Sequence, residues 1–391
     1  MNVALITLEG GGTASVCYGL ANSLARKEIS TAIFTEKPRK ISRKKYEKIS
    51  QFSPNIKFLN RLDLPPRFLW FQLQNFRYLL GSLVDFDVVH GVSPDASVLL
   101  ALRKRELNKP FVVSIHSEPL SYTRDFFNMP FSSWTLPGFA HQILEFPLLR
   151  HNLKICSEKA DHIMFCSYSI LKEFKIAYKK LDLNKVSVVY NAINLKEFDS
   201  GRTEYSVNDE NDELSIVFIG RLMWVKGLLY LLKAFRILVR DFKKVRLEIF
   251  GKGPEESRLK KLVSNWGLDD KVHFHGYVPK KMLIPRIKKA SIVISPSIHE
   301  AQSMTVLEAM ACRKPIITFD IPSMSEIIVD GETGVLAKPF SHSDLAEKIR
   351  IVLSDKKLRS KLGQNAYNYV KEKHNWDRQV EKYVEIYENV R

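Results

Sequence analysis

The residues with the most chemical promise lie in HEAQSMTVLEAMA, from His299 to Ala311. Glu300 and Glu308 stand on either side of a small polar loop. Ser303 is placed to cap a helix that begins at Met304, and Pro315 follows shortly beyond its end. Ala301 and Ser303 are small, so a ligand can approach the backbone. The amides of Gln302, Ser303, Met304 and Thr305 would then meet phosphate oxygens at the positive end of that helix. An ionised carboxylate accepts two hydroxyls, and sugars and riboses present hydroxyls in pairs. Glu308 sits among Val306, Leu307, Ala309, Met310 and Ala311, so it is expected to be semi-buried and to need a partner. A plain exposed helical glutamate is the alternative.

Further upstream, VFIGRLMWVKGLL ends a strand at Ile219 and turns at Gly220. Arg221 and Lys226 follow before a helix expected to begin near Gly227. A guanidinium fork and an ammonium point charge at a helix start suit a diphosphate leaving group. Read alone, the two residues also fit solvated surface cations. IFGKGPEE places Gly251 and Gly253 after another strand, a short GxG that fits any tight strand-to-helix turn. In the first half, LITLEGGGTAS carries Gly10, Gly11 and Gly12 but no third glycine at dinucleotide spacing. Glu36 after the second strand keeps a dinucleotide oxidoreductase open. His116 ends the strand VVSIH, where a side chain reaches the ligand edge of a parallel sheet; His90, ending FDVVH, fits a structural role better. Asp85 and Asp87 spell DxD, which turn and capping chemistry explains. The four cysteines form no CxxC pair and no cluster with metal spacing. No metal and no cofactor are expected, because two cations and a helix terminus can supply the charge a metal would.

The elements that must position these groups alternate between short apolar strands and amphipathic helices. Strands are expected near 2–7, 31–35, 56–60, 86–90, 111–116, 162–166 and 186–190, and again at LSIVFI, RLEIF, VHFH, SIVISPS, PIITF and TGVLA. Such alternation implies α/β architecture with parallel sheets covered on both faces. The polar, acidic run EYSVNDENDE at 204–213 is the expected boundary. Two Rossmann-like doubly wound domains, 1–203 and 204–375, would face a cleft.

The chain of 391 residues carries a net charge of +17, spread over both halves. An anionic partner follows: a phosphorylated substrate, a membrane surface or nucleic acid. No apolar run approaches the roughly 18 residues of a membrane span. MNVALITLEGGG reads as a first strand with no basic region of a signal peptide, which points to the cytoplasm. Three stretches suggest peripheral docking on an anionic leaflet. They are the basic run 37–48 and the aromatic-rich runs 65–84 and 125–149, which also fit helices packed on a sheet.

Taken together, GR…KG at Gly220–Gly227, GxGP at Gly251–Pro254, VHFHGYV at Val272–Val278, SPS…E at Ser295–Glu300 and the spacing of Glu300 from Glu308 resemble one family. It is the retaining nucleotide-sugar glycosyltransferases of the GT-B fold, family 4, also called glycosyl transferases group 1. NAINLKEF at Asn191–Phe198 and DGETGVLAKP at Asp330–Pro339 match in order and spacing. The resemblance implies that Arg221 and Lys226 bind the donor diphosphate. Glu300 would contact the transferred sugar, Glu308 the ribose, and the backbone near Tyr277 and Val278 the base. Gly251 would join the donor site. Gly11 and Gly12 would border the donor phosphate and acceptor, and His116 would assist at the reacting sugar. The final helix, 376–391, would cross back to the first domain. Many members have EGFG where this chain has EAQS, which leaves donor-sugar preference open. The expected partners are a nucleotide-sugar, a glycan or lipid-linked acceptor and an anionic membrane surface, with no nucleic acid. The alternatives are a sugar phosphorylase of the same fold, an oxidoreductase, or a basic protein that binds membrane or nucleic acid.

Overall fold

The structure is a computed structural model that describes residues 1–8, 11–36, 55–59, 67–116, 146–199 and 213–391. These residues form two compact units. One takes the described residues up to Ala192 together with Trp376–Arg391, and the other takes Ile193–Asn375.

The first unit is built on seven parallel strands. In chain order they are β1 (Asn2–Ile6), β2 (Ser30–Glu36), β3 (Ile56–Leu59), β4 (Val88–Gly91), β5 (Phe111–Ile115), β6 (His162–Phe165) and β7 (Val186–Val188), lying side by side as β3-β2-β1-β4-β5-β6-β7. Most residues of β1, β2, β4 and β5 are buried, as both faces of a parallel sheet must be. Helix α1 (Gly11–Ala25) follows β1, and α2 (Arg67–Ser82), α3 (Pro94–Leu102), α4 (Phe146–Lys159) and α5 (Tyr168–Ala177) complete the described layers. The chain's last helix, Trp376–Val390, belongs to this unit. Its buried Trp376, Val380, Tyr383 and Tyr387 recur on one helical stripe. The Trp376 indole lies so close to Gly19 of α1 that any Cβ there would overlap it. Arg26–Asp377 at 3.2 Å and Lys27–Glu381 flank that contact.

The second unit has six parallel strands. These are β8 (Leu214–Ile219), β9 (Val245–Phe250), β10 (Val272–Gly276), β11 (Ile292–Ser295), β12 (Ile316–Phe319) and β13 (Val335–Ala337), in the order β10-β9-β8-β11-β12-β13. Between and after them run α6 (Leu228–Leu238), α7 (Glu256–Asn265), α8 (Lys280–Lys289), α9 (Met304–Ala311), α10 (His342–Ser354) and α11 (Lys356–Lys373). The α6 residues Leu228, Leu231, Leu232, Phe235 and Leu238 are buried, as their spacing predicts. This unit begins ahead of the polar run at 204–213. Ile193 N–H donates to the His374 carbonyl at 2.9 Å, and the Tyr367 hydroxyl donates to Asp199 at 3.3 Å.

Both sheets have the doubly wound order in which the chain starts in the middle and turns back. Direction reverses between β1 and β4, and between β8 and β11. Ligands of such sheets bind outside the carboxyl ends of the strands at that reversal. DGETGVLAKP builds a turn. Asp330 Oδ1 accepts from Leu336 N–H and Thr333 Oγ1 from Val329 N–H, each at 2.8 Å.

Candidate active site

In the second unit the reversal falls between the loop after β8, which carries Arg221 and Lys226, and the loop after β11, which carries Glu300. Backbone contacts lock these loops to each other and to the loop after β9. Ile298 N–H donates to the Val225 carbonyl at 2.8 Å, and Leu222 N–H to the Lys252 carbonyl at 3.1 Å. Gly227 has φ +65, and a Cβ there would overlap the Pro296 carbonyl. Gly251 has φ +147 with its α-carbon against the Gly220 carbonyl, which fixes where Arg221 leaves the sheet.

The helix expected near Gly227, α6, begins at Leu228, after a 3-10 turn, Trp224–Lys226, that Lys226 closes. Gly227 and Leu228 are buried beneath the β11 loop, so α6 does not offer its amide end to a ligand. The accessible helix start is that of α9. Ser303 caps it, its hydroxyl accepting from Val306 N–H at 3.5 Å. Met304 and Thr305 are half-buried, and their amides donate to no carbonyl among the described residues. The free N–H groups there carry the helix's partial positive charge. The Gln302 side chain points away from this end, with Nε2 3.3 Å from Nδ1 of the buried His374.

The two carboxylates are each met by a lysine from a neighbouring loop. Lys226 Nζ pairs with Glu300 Oε1, which also accepts from the Ser297 hydroxyl at 3.1 Å. Their side chains are 26% and 13% exposed. Lys280, at the start of α8, lies 3.4 Å from Glu308 Oε1, and the Glu308 side chain is 14% exposed. Burial pushes the Glu308 carboxyl above the usual carboxylate range, while the Lys280 charge pulls it back. Burial works against the Lys280 ammonium, and Glu308 with Glu197 more than offsets it, so its pKa is raised. Arg221 is exposed and pairs with no described residue. Gly251 and Val278 are half-buried after β9 and β10, and Tyr277 is 68% exposed.

In the first unit Gly11 and Gly12 open α1 directly after the β1 loop, and Gly12 is exposed. His116 follows β5. Its Nε2 is buried with no partner among the described residues, and burial lowers its pKa to about 4. His90 is structural: Nδ1 meets the Tyr387 hydroxyl at 2.7 Å and Nε2 the Ser114 hydroxyl at 2.8 Å. Glu36, the acid that kept a dinucleotide site open, is the last residue of β2 and only 1% exposed. Of the DxD pair, Asp87 Oδ2 accepts the Asn2 amide at 2.8 Å, a strand-end contact that holds its pKa low. No group of three or more metal-ligating side chains occurs among the described residues. No described helix is long and apolar enough to cross a membrane. The stretch 37–48 lies outside the described residues, as do 125–145 of the stretch 125–149 and the start of 65–84.

Sequence reasoning missed Lys280, Ser297 and His374. Ser297 was visible within SPS…E. Nothing near Lys280 in the sequence marks its carboxylate partners, because pairing arises only when β10 and β11 deliver their loops to the same edge.

Comparison with known proteins fits this architecture. The family "Glycosyltransferase Family 4" matches residues 10–197, and "Glycosyl transferases group 1" matches residues 203–369. The chain belongs to the group 1 glycosyl transferases, enzymes of the GT-B fold. An uncharacterized glycosyltransferase of Methanocaldococcus jannaschii is 28% identical, over 99% of this chain and 98% of its own. An alpha-D-kanosaminyltransferase of Streptomyces kanamyceticus is 30% identical over 40% of each chain. Among solved structures, Anabaena HepE in complex with UDP and glucose superposes with a TM-score of 0.78 at 15% identity, covering 100% of both chains. Sucrose-phosphate synthase from Thermosynechococcus elongatus gives 0.79 at 20% identity, covering 100% of this chain and 98% of its own.

Proposed function

We propose that this glycosyltransferase moves a sugar from a nucleoside diphosphate to a hydroxyl of a glycan or lipid-linked acceptor, with retention at the anomeric carbon. The second unit, 204–375 together with the preceding segment from Ile193, takes the donor. The first unit takes the acceptor near Gly11, Gly12 and His116. The observation that carries this reading is the Lys226–Glu300 pair beside the open start of α9, with the unpaired Arg221 on the same loop as Lys226.

The donor diphosphate lies over the Met304 and Thr305 amides and draws Arg221 and Lys226 to its oxygens. Lys226 then exchanges one anion for another, which frees Glu300 to accept hydroxyls of the transferred sugar. Glu308 holds the ribose, and the backbone at Tyr277 and Val278 holds the base beside Gly251. As the bond from the anomeric carbon to the phosphate oxygen breaks, both electrons go to the diphosphate. The two cations and the helix amides stabilise that charge. The acceptor oxygen bonds to the same face of the sugar, and its proton passes to the departing phosphate. His116, with a pKa of about 4, is neutral in this step and serves as a hydrogen-bonding partner of the sugar. The reaction needs no metal, because these groups carry the charge a divalent ion would.

UDP with glucose is the ligand pair of the structurally similar Anabaena protein, and similar proteins include an alpha-D-kanosaminyltransferase and a poly(ribitol-phosphate) alpha-N-acetylglucosaminyltransferase. The charge of +17 suits work at the cytoplasmic face of an anionic membrane. Calorimetry with UDP-, GDP- and ADP-sugars tests the reading. One class is expected to bind and, with an acceptor, to turn over without added metal and with the anomeric configuration kept. Failure of every nucleotide-sugar to bind would overturn it, as would release of product of inverted configuration.

A further inference from the structure

Beside Glu308 lies a set of charges that phosphate and sugar binding do not require. Lys280 Nζ is 3.4 Å from Glu308 Oε1 and 3.0 Å from Glu197 Oε2. The same ammonium sits 4.9 Å from the centre of the Phe198 ring. Glu197 and Phe198 end the NAINLKEF segment, and Lys280 starts α8 directly after the Tyr277–Val278 loop. Two separate pieces of chain therefore converge on a cation carried by a third, and that cation faces the carboxylate assigned to the ribose.

We propose that Lys280 is a positioning residue of the nucleotide subsite, holding Glu308 charged and aimed so that both ribose hydroxyls are gripped and a 2′-deoxyribonucleotide is rejected. The inference rests on Glu308 being the ribose ligand. A protonated carboxyl gives one of its oxygens to its own proton and accepts more weakly from a hydroxyl. An ionised one accepts from two hydroxyls at once, with bonds roughly twice as strong. Glu308 is flanked by buried Leu307, Ala309 and Met310, surroundings that favour the neutral acid unless a cation is fixed nearby. Glu197 and the Phe198 ring fix that cation. Each limits the positions the flexible lysine stem can adopt, so Glu308 is held by a partner that is itself held. Lys280 does not touch the transferred sugar or the diphosphate in this scheme. Its influence is confined to the nucleoside.

Calorimetric titration of the full chain with UDP against 2′-deoxy-UDP, and with the matching GDP and ADP pairs, tests the proposal. Titrations cover the wild type, Lys280→Met, Lys280→Arg and Glu308→Gln. The wild type is expected to prefer the ribonucleotide by about tenfold or more, the loss of one hydrogen bond to a charged group. Lys280→Met is expected to bring the ratio to within about threefold of unity, and Glu308→Gln likewise, since neither keeps a charged acceptor. Lys280→Arg is expected to retain the preference. Should Lys280→Met fail to fold, Lys280→Gln replaces it, with the same expected ratio. If Glu308→Gln erases the preference while Lys280→Met or Lys280→Gln keeps it, the lysine has no such role and the ribose assignment stands. If Glu308→Gln leaves the preference at the wild-type value, the ribose assignment falls and this inference with it. If no nucleotide binds the wild type, the donor-site reading itself is overturned.

Discussion

Replacing Lys226 with alanine separates the two jobs assigned to that residue. In the free enzyme Lys226 pairs with Glu300, and both side chains are mostly buried. Its loss leaves Glu300 with the Ser297 hydroxyl at 3.1 Å. That bond compensates part of the lost attraction, and Glu300 still reaches solvent, so the stability cost is expected near 1 kcal/mol, well below the 3–5 kcal/mol of breaking a fully buried pair. In the proposed reaction Lys226 would meet charge that develops on the diphosphate, and deleting one such donor costs about 3 kcal/mol of transition-state stabilisation, or on the order of 100-fold in rate. The two effects therefore differ by roughly a factor of three in free energy and appear in different assays. Urea denaturation reads the first. Steady-state kinetics with the donor that binds in the nucleotide-sugar screen reads the second. A cycle with Glu300→Gln completes the test, because two residues that exchange partners during the reaction must couple. The reasoning is refuted if Lys226→Ala keeps kcat within threefold of wild type, or if the two substitutions prove additive in rate.

Other expectations follow from neighbouring contacts. Glu308→Ala should weaken binding of the preferred nucleoside diphosphate by about tenfold to a hundredfold, measured by calorimetry, while circular dichroism shows the fold unchanged. Gly227→Ala should destabilise the protein by about 1–3 kcal/mol in urea titration, because the new Cβ meets the Pro296 carbonyl at a left-handed φ of +65. Stability should also fall with acid. Burial depresses His116 to about 4 and His90 to about 3, so below the ordinary histidine value of 6.5 the unfolded chain holds protons that the native chain does not. Each such histidine costs about 1.4 kcal/mol per pH unit in that window, the loss ending as pH falls past its own folded value. His116→Gln should flatten the urea-midpoint dependence between pH 6.5 and 4 relative to wild type, and an unchanged slope would count against a buried neutral His116.

Much of the fold was legible because central parallel strands, buried on both faces, read as unbroken apolar runs, and each of the thirteen described strands was expected near where it lies. SIVIS and PIITF are β11 and β12, wholly buried. The motif residues were legible for a related reason. Ligand groups of such a sheet follow strand ends, so Arg221 after β8 and the Glu300 loop after β11 could be sought by position. What stayed hidden depended on loops meeting in space. The Gly227 turn reads as a helix start until the Pro296 carbonyl is seen covering it. The final helix has a clear apolar stripe, yet only the fold shows that Gly19 and His90 receive it. Lys280 looks like one more lysine in a basic chain.

The paired lysines answer a problem that the glutamates create. A pocket for a diphosphate should repel carboxylates, yet on the proposed reading two stand beside it, where sugar and ribose hydroxyls would need strong acceptors. Left alone in its semi-buried surroundings, Glu308 would tend to protonate and lose that strength, and an unpaired Glu300 would oppose the phosphate. Lys226 from the β8 loop and Lys280 from the β10 loop remove the conflict before any ligand arrives. On the proposed reading the two pairs diverge in use. Lys226 would leave Glu300 for the donor diphosphate, so that carboxylate would be released only when the leaving group is in place. Lys280, held by Glu197 and Phe198, would stay with Glu308 throughout. One carboxylate would thus be conditional on the donor's phosphates and the other constant, so that recognition of the nucleoside would not depend on the charge rearrangement that readies the sugar for transfer.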